Sequence, residues 1–342
     1  MSMIPPHSAP RKPARWQTAL AAAITQPSEL IRVLELDRRL LPAAERAARL
    51  FPLRVPRVYV ERMTPGDEQD PLLRQVLPLD AESEKAPGFA TDAVGDLTSS
   101  MAPGVLHKYR GRVLLIATAA CAIHCRFCFR RHFPYSEQTA ARDQWNEAIR
   151  WIAANPEINE VILSGGDPLS LSDDKLAPLC RTLDEIPHVS RIRIHTRQPV
   201  VLPERVDDRL LAWVAGMRSH PVFVLHVNHD KEIGDQLRQA CLRLRDAGAI
   251  LFNQSVLLRG VNDNVETLAR LSEALFECGV LPYYLHMLDR VEGVAHFEVD
   301  RDMARTLYAG LLARLPGYLV PRLVSEMEGE PSKLPVAPLR SC

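Results

Sequence analysis

The chain of 342 residues carries no excess charge of either sign, because 42 Lys and Arg balance 42 Asp and Glu. Charges so balanced and mixed give no standing basic field, which excludes nucleic-acid binding driven by phosphate neutralisation. Long apolar runs are also missing. The longest, around residues 113–120, falls well short of the ~20 residues that a membrane-spanning helix requires. The first twenty residues hold Pro5, Pro6, Arg11, Lys12 and Arg15 without an apolar stretch, which argues against a secretory leader. Cysteine is scarce and odd in number. Seven of them, unevenly spread, do not make a disulfide framework. A soluble protein without membrane or nucleic-acid partners is the expectation.

What is present has a clear order. Residues 1 to about 15, rich in proline and basic side chains, are expected to pack loosely. Residues 17–24, 28–36 and 43–50 read as short helices, with Ser28 as an N-cap whose hydroxyl accepts a first-turn amide. Between about 64 and 105 periodicity fades, predicting a long wrapping connection. From Val113 onward, short β-branched runs recur at 113–118, 161–163, 192–194, 222–227, 250–256 and 282–285. Helical faces separate them, such as Trp145/Ile149/Ile152, Leu237/Cys241/Leu244 and Leu268/Leu271/Leu275. Asn155-Pro156, Gly248 and Gly279 mark the stops. Six strand–helix units predict a parallel sheet with helices outside it. Periodicity does not distinguish an open doubly wound sheet from a barrel. In either, ligands gather where the strand C-termini converge.

The most specific signal is Cys121-Ala-Ile-His-Cys125-Arg-Phe-Cys128, directly after the first of these strands. Structural zinc usually takes four ligands in two pairs. Three thiolates suit a [4Fe–4S] cluster with one iron left open to a small molecule. A zinc site completed by His124 or His132 is the plain alternative. Such a triplet needs a reducing compartment, so the cytoplasm is expected. Cys180 and Cys241 lie on apolar helix faces and read as small buried hydrophobes. Neither they nor Cys278 and Cys342 are expected to bind metal.

With Phe127 before its last cysteine, the triplet resembles that of the radical S-adenosylmethionine (SAM) enzymes. Four further phrases narrow the likeness: Arg130-Arg131, Ser164-Gly165-Gly166-Asp167, the stretch 253–260 (NQSVLLRG) and Gly329-Glu330-Pro331-Ser332-Lys333. They resemble the lysine 2,3-aminomutase family, with matching phrases from about residue 51 to 335. The short length and the ending look most like the EpmB branch, which makes (R)-β-lysine for modifying translation elongation factor P.

The resemblance implies an α/β fold, a partial (β/α)6 radical SAM barrel with an N-terminal helical extension. Its segments would be an N-terminal helical and wrapping part (1–105), the barrel (106–318) and a C-terminal segment carrying a cofactor lysine (319–342). It implies three cofactors: a [4Fe–4S] cluster on Cys121, Cys125 and Cys128, SAM, and pyridoxal 5′-phosphate (PLP). Gly165, Gly166 and Asp167, with His226 and Gln254, match positions facing SAM. Glycines at a strand end let a ligand approach the backbone, and the adjacent carboxylate can take an amine. Lys333 matches the lysine that holds the PLP aldehyde and acts in catalysis, although only one glycine precedes it here. Lys108, Tyr109 and Arg112, in a surface loop before the first strand, match PLP-holding positions, and two cations with a phenol suit a phosphate. Arg130 matches the partner of the substrate carboxylate. Asp289 and Glu326 match the acids that bind the distal amine, the second being aspartate in the family. The reaction implied is migration of the lysine amino group from C2 to C3, with a flavodoxin- or ferredoxin-type electron donor. Functional links to elongation factor P and its ligase are implied as well. Two other readings stay open: the same scaffold acting on glutamate, arginine or ornithine, and a non-catalytic iron–sulfur or zinc module. The acids Asp289 and Glu326 count against glutamate.

Overall fold

β-Branched side chains fit a pleated, half-buried surface, and the runs seen in the sequence become the centre of one ten-stranded sheet. The computed structural model describes residues 14–138 and 145–339. The basic, proline-rich start through residue 13 and Cys342 lie outside the described residues. Its strands are β1 (Ser100–Ala102), β2 (Val105–Tyr109), β3 (Arg112–Thr118), β4 (Glu160–Gly165), β5 (Arg191–Thr196), β6 (Val222–Leu225), β7 (Ile250–Val256), β8 (Leu281–His286), β9 (Arg322–Ser325) and β10 (Leu334–Pro335). They lie in sequence order from β1 to β10. From β3 to β9 every neighbouring pair is parallel, while the β1–β2, β2–β3 and β9–β10 pairs are antiparallel. β3 to β8 are the six expected strands, and the sheet is a barrel left open between β1 and β10.

Four strands were not expected. β9 is a seventh parallel strand, reached through the helix Arg301–Arg314, and its short, polar sequence hides it. β2 turns the presumed surface loop into a hairpin, so Lys108 and Tyr109 are strand residues and Arg112 opens β3. The sheet runs without a break across both sequence boundaries, at 105/106 and 318/319.

The helices follow the predicted faces closely. Leu237, Cys241 and Leu244 are buried in Asp235–Asp246, as are Leu268, Leu271 and Leu275 in Val265–Glu277. Trp145 differs: it caps Asn146–Ala154 in a left-handed conformation instead of lying within it, and its ring nitrogen donates to Ala117 O (3.2 Å). Gly248 and Gly279 take positive φ after their helices, where a side chain would be strained. Ser28 is not the cap of its helix, which begins at Pro27 after Gln26. Proline at the first helical position already supplies the right φ and lacks an amide to satisfy.

The N-terminal helices are not a separate body. Trp16, Ile24, Leu30, Tyr59, Leu72 and Leu73 are fully buried in the same apolar cluster as Leu115, Leu163, Ile194 and Phe223 of the barrel. Each such side chain contributes about 1.5–3 kcal/mol on burial. A second cluster, with Leu285, Leu311, Leu323 and Val336, docks the C-terminal strands. Among the described residues no helix is long and apolar enough to cross a membrane.

Candidate active site

At the C-terminal end of β3 the chain runs straight into the cysteine loop. Two amides seat this loop on β4: Gly166 N donates to Thr118 O and Asp167 N to Ala120 O, each at 2.7 Å. The glycines are required by this contact. A Cβ on Gly166 would lie 2.4 Å from Ala120 O, and one on Gly165, whose φ is +112°, 2.6 Å from Thr118 O. So Gly165 and Gly166 first let chain approach chain. Asp167 is equally committed: Oδ1 accepts from Leu169 N (3.0 Å) and Thr196 Oγ1 (2.7 Å), Oδ2 from Arg197 N (2.8 Å) and Gln198 N (2.9 Å).

The loop is pinned from outside by buried charge. Arg126 pairs with Glu82 through both Nε (2.8 Å) and Nη2 and donates to Phe51 O (2.7 Å), and Arg131 reaches the same Glu82 at 2.8 Å. Arg197 places Nη1 2.8 Å from Cys125 Sγ and Nη2 2.6 Å from Gln75 Oε1 and 3.1 Å from Glu232. Burial pushes the thiols of Cys121, Cys125 and Cys128 upward, the last to about 11; Cys121 is raised further by both of the others and Cys128 by Cys125, while Arg197 pulls Cys125 back down. The three half-buried cysteines thus lie within charge range of one another, with the Arg197 cation beside Cys125. Such a set suits a cluster that takes up thiolate charge. Each candidate imidazole holds a backbone carbonyl through one ring nitrogen. His124 Nδ1 bonds Pro52 O (2.9 Å) with its ring stacked on Phe51, and His132 Nε2 bonds Glu292 O (3.1 Å). Among the described residues, no group of three or more His, Cys, Asp or Glu is arranged to hold a metal ion. Cys180, Cys241 and Cys278 are buried, with thiols raised by burial.

A second assembly lies inside the barrel, where the sheet edges come together. Ser325 of β9 pairs with Leu334 of β10, so the residues just beyond that pair, Glu326 and Lys333, meet. Lys333 Nζ donates to Glu326 Oε2, and Lys108 Nζ donates to Oε1 (3.2 Å) from β2. Lys108 also stands 2.6 Å from Asp96, whose other oxygen accepts from Arg130 Nε (2.6 Å). A chain of alternating charges therefore runs Lys333–Glu326–Lys108–Asp96–Arg130. Burial works against the Glu326 charge, but Lys333 and Lys108 outweigh it and hold the carboxyl at about 2. Asp289 goes the other way: burial, then the Glu326 charge, raise it to about 7. Burial and Glu326 also raise the Tyr109 phenol, and the Arg112 guanidinium lies 4.6 Å over the Tyr109 ring.

Between the two assemblies stand imidazoles. Gln254 Nε2 lies 3.0 Å from His226 Nε2, and burial, then Arg197 and Arg130, lower His226 to about 3. His195 and His286 are pushed well down by burial, and each has an Nε2 without a protein partner. The structure thus joins Lys333, Glu326 and Lys108 directly and Arg130 to them through Asp96, with Asp289 and Tyr109 within reach of the Glu326 charge. Sequence reasoning missed Asp96, Arg197, Glu82, His195 and His286. Asp96 sits in the aperiodic stretch 64–105 among many acids, with nothing local to single it out.

The profile of the Radical SAM superfamily matches residues 115–272, from β3 through most of the helix Val265–Glu277. L-lysine 2,3-aminomutase of Escherichia coli (strain K12) is 49% identical over 94% of this chain and 94% of its own length. The Haemophilus influenzae protein of the same name is 44% identical, covering 97% and 98%. That of Clostridium subterminale is 35% identical over 94% of this chain but only 78% of its own length, so it is the longer protein. Near end-to-end agreement with the shorter relatives, on the cysteine loop and barrel described above, means that the chain belongs to the lysine 2,3-aminomutase family of the radical SAM superfamily, in its short, EpmB-type branch.

Proposed function

We propose that this protein is a lysine 2,3-aminomutase that converts L-lysine to β-lysine. The observation that carries the reading is the polarity of the barrel interior: Arg130 ends the buried charge chain on one side, while the acids Glu326 and Asp289 lie together toward the other side, next to the terminal Lys333. That polarity suits a substrate with a carboxylate at one end and an ammonium at the other. A carboxylate end group, as in glutamate, would meet two acids. When bound, the cluster with SAM supplies a carbon-centred radical, and PLP supplies the electron sink that lets nitrogen migrate from C2 to C3.

The chain's own work is to hold, orient and exclude water. Cys121, Cys125 and Cys128 would hold the iron. Gly165, Gly166 and Asp167 shape the loop seat that SAM would face, with His226 and Gln254 opposite. Lys333 would hold the PLP aldehyde by its amine, and Lys108, Tyr109 and Arg112 would hold the phosphate. Arg130 would bind the substrate carboxylate, whose planar geometry its fork matches. Asp289 and Glu326 would bind the distal ammonium, and Glu326 already pairs with one ammonium, that of Lys333. By function the chain divides into a wrapping part (1–105), the barrel (106–318) and a PLP-bearing segment (319–342).

Further afield, the reading implies a low-potential flavodoxin- or ferredoxin-type donor, a cytoplasmic setting, an (R)-β-lysine product and use of that product on elongation factor P through its ligase. The test is chemical trapping. Borohydride treatment of PLP-loaded protein, followed by peptide mass spectrometry, should leave the pyridoxyl mass on Lys333. A pyridoxyl group on another lysine, or none, would remove the PLP half of the reading.

A further inference from the structure

Arg130 is fixed at two points of its guanidinium. Nε donates to Asp96 Oδ2 at 2.6 Å and Nη1 to Ser164 Oγ at 3.1 Å, while the Phe129 ring lies 4.6 Å from its centre. Among the described residues nothing accepts from Nη2. Asp96 is itself tightly set. It is only 2% exposed, its amide donates to Asp92 Oδ1 (3.0 Å), and its Oδ1 lies 2.6 Å from Lys108 Nζ. Burial opposes its ionisation, yet Arg130 and Lys108 hold the carboxyl below its usual range.

A buried carboxylate is tolerated when well paired, and any two cations would serve for stability. Here the two partners are the guanidinium read as the substrate-carboxylate clamp and an ammonium read as a phosphate clamp. An arginine can grip a carboxylate through its Nε side or through its two terminal nitrogens. With Nε taken, only the terminal edge is offered, and Ser164 fixes the rotation of that edge. We propose that Asp96, assisted by Ser164, is a positioning residue that aims the terminal edge of Arg130 at the substrate carboxylate and ties that subsite to Lys108. The inference rests on the reading of Arg130 given above. Asp96 does not compete with substrate in this arrangement, because it occupies Nε and leaves Nη2 open.

The test uses full-length, anaerobically reconstituted, PLP-loaded enzyme: wild type, Asp96→Asn and Ser164→Ala. L-lysine and L-lysinamide, which lacks the carboxylate, are titrated while the cofactor absorbance is followed. Asp96→Asn should weaken lysine binding about tenfold and Ser164→Ala about threefold, the scale of losing a charge-assisted and a neutral hydrogen-bonded prop. Lysinamide binding should stay within about twofold in both. A merely structural role would weaken both ligands alike, and that result would overturn the proposal. Unchanged lysine affinity would also overturn it, and tighter binding would show that Asp96 competes for Arg130 instead of aiming it. If Asp96→Asn does not fold by circular dichroism, the same comparison on Ser164→Ala decides. A wild-type enzyme that does not distinguish lysine from lysinamide would instead refute the Arg130 reading itself.

Discussion

Asp289 and Glu326 carry the same functional group, yet their surroundings drive them in opposite directions, to about 7 and about 2. Glu326 has two ammonium partners, whereas Asp289 has burial and the negative charge of Glu326 to contend with. The consequences for pH have opposite signs. The raised Asp289 contributes stability that is fully present below its unfolded value near ~3.9 and is lost as pH rises through about 7. The depressed Glu326 contributes stability that is present above ~4.3 and is lost as pH falls through about 2. Asp289→Asn should therefore stabilise the protein at pH 8, by on the order of 4 kcal/mol, and leave it nearly unchanged at pH 4, as urea denaturation at the two pH values would reveal. Lysine affinity should climb with pH through about 7, because an ammonium favours the ionised acid, and this rise should flatten in the variant. At Lys333, replacement by alanine should abolish the covalent PLP absorbance and turnover while iron content holds, and full activity would count against its role. Lys333 and Arg130 could be singled out in the sequence because recognisable motifs carry them. Asp96 and Arg197 were not, since a buried ion pair is defined by a partner far away in sequence, here 34 and 35 residues.

At the scale of elements, the junction of β3, the cysteine loop and β4 matters most. The sequence suggested that Gly165 and Gly166 make room for a ligand, but the nearest atoms to an added Cβ belong to the end of β3 at Gly165 and to the loop that leads into Cys121 at Gly166. Local sequence does not reveal which neighbour occupies the space above a glycine. Gly166→Ala should lift that loop, costing roughly 1–3 kcal/mol by overpacking. Iron and sulfide per chain after reconstitution should drop several-fold while the helical circular dichroism persists; full cluster loading would contradict the assignment. Strands with β-branched runs were legible, whereas β1, β2, β9 and β10 were not. The last two are short, and in β2 the polar His107 and Lys108 dilute the signal. For the same reason Lys108 and Tyr109 read as loop residues.

For the whole molecule, the open sheet has two free edges, and side chains from the C-terminal segment clasp them. Glu326 reaches Lys108 on β2, and Glu328 accepts from Thr98 Oγ1 at 2.7 Å while lying over Gly95, where a Cβ would sit 2.5 Å from it. Glu328→Ala removes one of these contacts, worth about 1 kcal/mol. Amide hydrogen exchange should quicken over residues 94–109 and 325–336 while β4 to β7 stay protected. Equal protection everywhere would mean that the clasp carries no weight. The parallel barrel could be read from six regular units, but its closure could not, because it depends on contacts between residues some 230 positions apart. The central claim is isomerisation of lysine in the space so enclosed. Its most direct test is NMR of lysine labelled with carbon-13 at C2, incubated anaerobically with reconstituted protein, SAM, PLP and dithionite. The labelled carbon should lose its nitrogen and appear as the methylene beside the carboxylate of β-lysine. Unchanged lysine, from protein whose cluster responds to SAM and whose PLP is bound, would contradict it.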